Sequence, residues 1–269
     1  PRQDEGEGVR PGTLSPRARC APAGVALALA GALAPAADAA EGVALPEHHW
    51  SFDGVFGTFD RAQLQRGFQV SKEARPPRHS LSLVAIRDLT ALGYSEEEAK
   101  AFAATYTVSD GPNDEGEMFE RPGLPSDRFP APYANEEAAR FAFGGAYPPD
   151  LSLIGKNRVG GPDYVAALLT GYHDAPADVT PVEGKFYNAY FPGHWISMPP
   201  PLSEGGVTFA DGTPATAEQQ AIDVAAFAMW AAEPKLEVRK QTGVKVMLFL
   251  VVLTGLLYAA KRKIWSDLH

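Results

Sequence analysis

Fifteen consecutive uncharged residues, Val246 to Ala260 (VMLFLVVLTGLLYAA), constrain this chain more than any other stretch. A hydrocarbon environment offers the backbone no water, so such a run is confined to a helix that closes its own hydrogen bonds. With the flanking lysines snorkelling and Ile264 and Trp265 at the interface, the segment reaches the ~20 residues that span a bilayer. Lys261-Arg262-Lys263 follows at once. By the positive-inside rule that end is cytoplasmic and the body of the chain lies outside. The alternative is a buried core helix.

A second membrane signal stands at the other end. Arg10, Arg17 and Arg19 precede an alanine-rich apolar run, Ala21 to Ala37, that closes in Ala37-Asp38-Ala39. A basic region, a short apolar core and a small-x-small site describe a secretory signal, against the alternative of an Ala/Pro linker. It gives the same orientation as the anchor. The stretch ahead of the apolar run is long for a free signal, and the chain begins with Pro1. A fragment, or a product cut from a longer polypeptide, is expected. The domain reading is therefore residues 1–39 as linker and signal, 40–240 as an exported body, and 241–269 as transmembrane anchor with a short cytoplasmic tail.

Net charge and cysteine use narrow the body's role. A formal charge of −9 argues against nucleic-acid binding and suits a basic protein partner. One cysteine, Cys20, rules out an internal disulfide. The 26 glycines and 24 prolines imply long loops around few regular elements. The helical signals are short and capped. Asp60 to Phe68 forms a helix that stops near Gly67. Ser95-Glu96-Glu97-Glu98 is a capping box opening a helix to about Tyr106. Asn135 caps a helix through Phe143, ended by Gly144-Gly145. Pro162-Asp163 starts a segment that Gly171 terminates. Thr216 with Gln219 opens the longest helix, with Ala221, Ile222, Ala225, Ala226, Met229 and Trp230 on one face. Alternating strand patterns are scarce. Short helices between long loops make a poor self-sufficient core, and a large bound cofactor would supply its centre.

Arg75-Pro76-Pro77-Arg78-His79 has the spacing of a covalent haem-attachment motif, Cys-x-x-Cys-His, with arginine at each cysteine position. If His79 binds an iron, Met198 is the best partner: it lies in Trp195-Ile196-Ser197-Met198-Pro199-Pro200-Pro201, a stiff extended segment. Histidine and methionine together would fill both axial positions and raise the reduction potential, which suits electron transfer. Taken alone, a histidine after a basic tetrapeptide is an ordinary surface residue, and a methionine beside prolines an ordinary packing one. Met118, Met229 and Met247 are weaker candidates, in an acidic stretch, a core face and the apolar run. His48, His49, His173 and His194 make no recognisable metal spacing.

Trp50-Ser51-Phe52, Gly57-Thr58-Phe59-Asp60, Leu64-Gln65-Arg66-Gly67-Phe68-Gln69-Val70 and His79-Ser80 occur in series. Asp110-Gly111-Pro112-Asn113, Glu117-Met118-Phe119, Pro148-Pro149-Asp150-Leu151-Ser152, Met198-Pro199-Pro200-Pro201 and Trp230-Ala231-Ala232-Glu233-Pro234 continue the series. In this order, with the anchor in place, the chain resembles the cytochrome c1 family from about His49 to His269. The resemblance implies a mainly α, cytochrome c-like haem domain with long loop insertions and one C-terminal transmembrane helix. It implies one haem c with His79 and Met198 as axial ligands, Arg158 near a propionate and Tyr164 near the ring. It implies the electron-transfer subunit of a quinol–cytochrome c oxidoreductase (cytochrome bc1 complex), with no quinol chemistry in the chain alone. The partners would be cytochrome b, the Rieske iron–sulfur protein and a soluble cytochrome c, in a dimeric complex. The haem domain would face the periplasm of a bacterial inner membrane. In some bacteria of this family cytochromes b and c1 are made as one precursor and cut, which would account for the start at Pro1.

The departure falls on the haem anchor. The family places cysteines at the positions of Arg75 and Arg78, and arginine forms no thioether. Three readings stay open: an error in the written sequence, since Cys to Arg needs one base change; a haem held without covalent bonds; or a haem-free structural subunit of a membrane complex. Asp110, Asp114, Glu115 and Glu117 either attract a basic cytochrome or solvate a loop, and the loop is the reading we take.

Overall fold

The computed structural model describes residues 43–73 and 78–266. The expected leader, Cys20 and Arg75 lie outside the described residues. Helices dominate, as expected. They are α1 (Arg61–Glu73), α2 (Glu96–Ala103), α3 (Glu136–Ala142), α4 (Ile154–Asn157), α5 (Gly161–Thr170), α6 (Ala217–Ala232) and α7 (Leu236–Trp265), with a 3-10 helix at Ile86–Leu92. Two small antiparallel pairs join them, β1 (Thr107–Asp110) with β2 (Phe119–Pro122), and β3 (Phe186–Tyr187) with β4 (Trp195–Ile196).

Local chemistry sets the helix starts. The Ser95 hydroxyl accepts from the Glu98 N–H at 3.1 Å while the Glu98 carboxylate accepts from the Ser95 N–H at 2.7 Å, the reciprocal pair of a capping box. Asn135 and Thr216 cap α3 and α6 through the N–H groups of Ala138 and Gln219. Gly171 follows the last residue of α5, as expected. Helix α2 ends at Ala103, three residues short of the expected Tyr106, and closes in a turn with Tyr106 N–H on the Ala103 carbonyl.

Helix α1 corrects the expectation of a stop near Gly67, because it continues to Glu73. Gly67 is there for contact: a Cβ at this position would lie 2.1 Å from the Asp223 carbonyl oxygen of α6. The absence of a side chain lets α1 and α6 approach closely, and Phe68 and Phe227 meet across the seam at 5.7 Å between ring centres. The buried cluster runs from Trp50 and Phe52 through Leu64 and Phe68 to Ala225, Phe227 and Trp230. The α6 face holds Ala221, Ala225, Ala226 and Trp230 as expected, with Ile222 and Met229 partly buried. It also buries Gln220 and Asp223, which the apolar pattern does not reveal. Arg66 of α1 answers Asp223, donating from Nε at 2.8 Å and Nη2 at 3.1 Å, and reaches Asp211 at 2.7 Å. That hydrogen bond to Asp223 raises the Arg66 pKa above the ordinary guanidinium value, against the opposing effect of burial.

Asp110 pairs with Arg121, which also holds Asp127, bringing the latter's carboxyl down to about 2. Asp114, Glu115 and Glu117 are exposed on a turn whose N–H groups at 115 and 117 are bound by the Asn113 side chain. Pro234 separates α6 from α7, and α7 is long and apolar enough to cross a membrane. Its apolar window has no residue buried against the rest of the chain, which excludes a core helix and fits a single-pass anchor.

Candidate functional site

His79 follows α1 and is held by a segment seventy residues away. Its Nδ1 lies 2.9 Å from the Pro149 carbonyl oxygen. A carbonyl only accepts, so this contact places the ring proton on Nδ1 and leaves the Nε2 lone pair unshared. Asp150 secures both segments of the contact. Its carboxylate accepts from the Ser80 hydroxyl at 2.7 Å, the Ser82 N–H at 3.0 Å and the Ser152 N–H at 2.7 Å. The Leu151 N–H returns a bond to the Ser80 carbonyl, and the buried Ser152 hydroxyl accepts from the Leu83 N–H.

The electrostatics agree with a ring kept neutral. His79 is only half exposed, and burial moves its pKa below the ordinary imidazole value, with Arg78 adding to the effect against Pro149 and Asp150. Burial alone would raise Asp150; the hydrogen bonds from Ser152, Ser82 and Ser80 outweigh it and hold the carboxyl well below the usual range. Neutral imidazole is the form that binds a metal.

Met198 is positioned by a second set of contacts. The β3–β4 hairpin ends at Ile196, and Met198 follows it, half-buried, at the start of the triple-proline run. The Tyr172 hydroxyl donates to the Met198 carbonyl at 3.1 Å. Asn188, fully buried, donates to the Leu168 carbonyl and accepts from the N–H groups of Tyr190 and Phe191, which ties the hairpin to the end of α5. Tyr187 packs between His173 and His194, at 5.1 and 5.4 Å between ring centres.

In sequence, Arg158 and Tyr164 fall between Pro149, which contacts His79, and Tyr172, which contacts the Met198 carbonyl. Arg158 is the exposed residue after α4, and Tyr164 is half-buried on the first turn of α5. Burial raises the Tyr164 pKa and the nearby Arg158 charge opposes it. One continuous segment, 149–172, therefore supplies the acceptor for His79, carries Arg158 and Tyr164, and ends in the donor to Met198. Pro149, Asp150 and Tyr172 are the residues that sequence reasoning missed. The run Pro148 to Ser152 marks the resemblance without assigning a role, and nothing local signals Tyr172.

The side chains fit an iron-bound haem better than a covalently attached one. A neutral histidine with Nε2 free and a thioether at the start of a proline run are groups of the chemistry that a haem iron takes as ligands. The attachment positions do not fit: Arg78 offers no thiol, and its guanidinium lies over the Phe143 ring at 5.8 Å. Arg75 is outside the described residues, and the chain's one cysteine is Cys20.

The family model described as "Cytochrome C1 family" matches residues 50–268. The chain is 49% identical over 262 residues to cytochrome c1 of Rhodospirillum rubrum, covering 91% of this chain and 95% of that one. It is 53% identical over 237 residues to a protein of Arabidopsis thaliana named cytochrome c1 1, heme protein, mitochondrial, covering 88% and 77%. It is 50% identical over 246 residues to cytochrome b/c1 of Bradyrhizobium diazoefficiens, covering 83% of this chain and 36% of that polypeptide. The chain thus spans about a third of the b/c1 protein's length. On the match across residues 50–268 and these identities, the chain belongs to the cytochrome c1 family.

Proposed function

We propose that this chain is the haem-bearing electron-transfer subunit of a quinol–cytochrome c oxidoreductase, the cytochrome bc1 complex. The observation that carries the proposal is the His79–Pro149 contact, which orients a neutral imidazole with Nε2 free. His79 and Met198 would hold the haem iron, and Arg158 would neutralise a propionate. A haem bound there supplies one-electron redox chemistry. Pro149 and Asp150 hold the imidazole in one tautomer and one direction, and Tyr172 holds the Met198 backbone. Tyr164 would lie near the ring. With His79 and Met198 both holding the iron, the site would favour electron carriage over oxygen binding.

Electrons would arrive from a Rieske iron–sulfur protein and leave to a soluble cytochrome c, with cytochrome b as the neighbour in the membrane and the complex dimeric. The net charge of −9 favours encounter with a basic acceptor. Helix α7 would place the body on the periplasmic side and Lys261-Arg262-Lys263 in the cytoplasm of a bacterial inner membrane. The proposed domains are a linker and secretory signal at 1–39, removed on export, a haem domain at 40–240, and an anchor with a short cytoplasmic tail at 241–269. The arginines at 75 and 78 favour a second reading, a haem-free scaffold within the same complex. Quinol-driven reduction of soluble cytochrome c by membranes carrying His79→Ala separates the two. Electron transfer predicts that the rate falls to background while cytochrome b still co-purifies. An unchanged rate would favour the scaffold.

A further inference from the structure

The loop between Phe52 and Phe59 exposes two apolar side chains, Val55 at 60% and Phe56 at 85%. The loop itself is firmly attached to the start of α7. The Phe59 N–H donates to the Glu237 carboxylate at 2.8 Å, and the Lys240 ammonium donates to the carbonyls of Phe52 at 2.5 Å and Gly57 at 3.4 Å. A groove lined by Val55, Phe56, Thr58, Gln241, Val244 and Lys245 lies between the loop and the helix.

Helix geometry says at what depth this groove sits. The fifteen uncharged residues 246–260 rise about 22 Å at 1.5 Å per residue, and the hydrocarbon core is about 30 Å thick. Centring the run leaves about 4 Å at each end, two or three residues, which places the boundary near Gly243 and Val244. Val244 lines the groove with Phe56. The charges there are also sorted: Glu237 faces Arg61 at 3.5 Å, Lys240 is engaged by carbonyls, and Lys245 has no ion pair among the described residues.

We propose that Val55 and Phe56 form an interfacial foot that enters the headgroup–acyl boundary of the leaflet facing the body, with Lys245 beside the phospholipid phosphates. Its occupant is the bilayer itself, because the groove is continuous with the apolar surface of α7. An aromatic and an aliphatic side chain at this depth exchange water for acyl chain without carrying charge into hydrocarbon. Foot and helix are two separate points of attachment, so together they fix the tilt of the body on the membrane, which one helix alone leaves free to swing. The proposal rests on α7 spanning the bilayer.

The test is site-directed spin labelling of the full chain, in a Cys20→Ser background, in vesicles of phosphatidylcholine and phosphatidylglycerol. Labels are placed through Phe56→Cys and, separately, Val55→Cys, Leu250→Cys within α7 and Phe141→Cys on α3, where Phe141 is 92% exposed. Power saturation compares access to oxygen, which partitions into lipid, with access to a water-soluble nickel complex. The foot predicts that positions 55 and 56 meet oxygen freely and nickel severalfold less than position 141. Nickel access equal to that at position 141, with position 250 shielded, would overturn the foot alone. Nickel access at position 250 as well would overturn the anchor reading beneath it. Shielding from both reagents at position 56 would show a protein cover and also overturn the proposal.

Discussion

The Nδ1 nitrogen of His79 sits 2.9 Å from the carbonyl oxygen of Pro149, and Asp150, the next residue, fixes both sides of that contact. Asp150→Asn keeps the shape but turns an amide toward one of the N–H donors now facing carboxylate oxygen. A buried donor left without its acceptor costs about 1–3 kcal/mol, and denaturant unfolding should report a loss of that size. The pH dependence follows from the depressed carboxyl. Its stabilisation is complete above the ordinary aspartate value of 3.8 and is lost as pH falls below it toward the lower folded value. The variant should lose less stability than the parent across that acid limb, and equal acid limbs would contradict the assignment.

Gly67→Ala reverses the usual helix rule. In a free helix the change would gain about 1 kcal/mol, but here the new methyl meets the Asp223 carbonyl at 2.1 Å and the Phe227 Cβ at 2.8 Å. Overpacking of a closed seam costs about 1–3 kcal/mol, and the melting temperature should fall. A rise would show that α1 and α6 pack less closely than described.

The two acidic partners of Arg66 should behave differently. Asp223 has no exposed side-chain surface, whereas Asp211 is 38% exposed. Asp223→Ala strips a buried ion pair and should cost about 3–5 kcal/mol, while Asp211→Ala should cost under about 1 kcal/mol. Equal losses by chemical denaturation would contradict a buried pair at the α1–α6 seam.

These contrasts show what was legible in the sequence. Ser95, Asn135 and Thr216 announced their helices because a cap is a bond between residues three apart. Val246 to Ala260 announced its helix by composition alone. Gly67 was misread because a glycine that ends a helix and one that admits a neighbouring helix look alike in sequence. Asp223 could not be recognised as buried because its partner, Arg66, is 157 residues away. The proposed pairing of His79 with Met198 rests on the ordered family segments, because neither residue is distinctive alone. The groups that orient them, Pro149, Asp150 and Tyr172, act across 70 residues in one case and 26 in the other.

The missing thiols give a chemical prediction. Arg75→Cys with Arg78→Cys recreates the attachment motif ahead of His79. Expressed with a haem-attachment system, the double variant should retain haem stain on a denaturing gel, and the parent chain should lose it. Stain retained by the parent would mean that the residues at 75 and 78 are not arginine in the protein.

The proposed function turns on whether His79 binds a haem iron in this chain. Its most direct test is the reduced-minus-oxidised absorption spectrum of the purified full chain beside that of His79→Ala. A reversible haem band is expected in the first and its loss in the second, with the variant still folded by circular dichroism. No band in the parent, or an undiminished band in the variant, would contradict it.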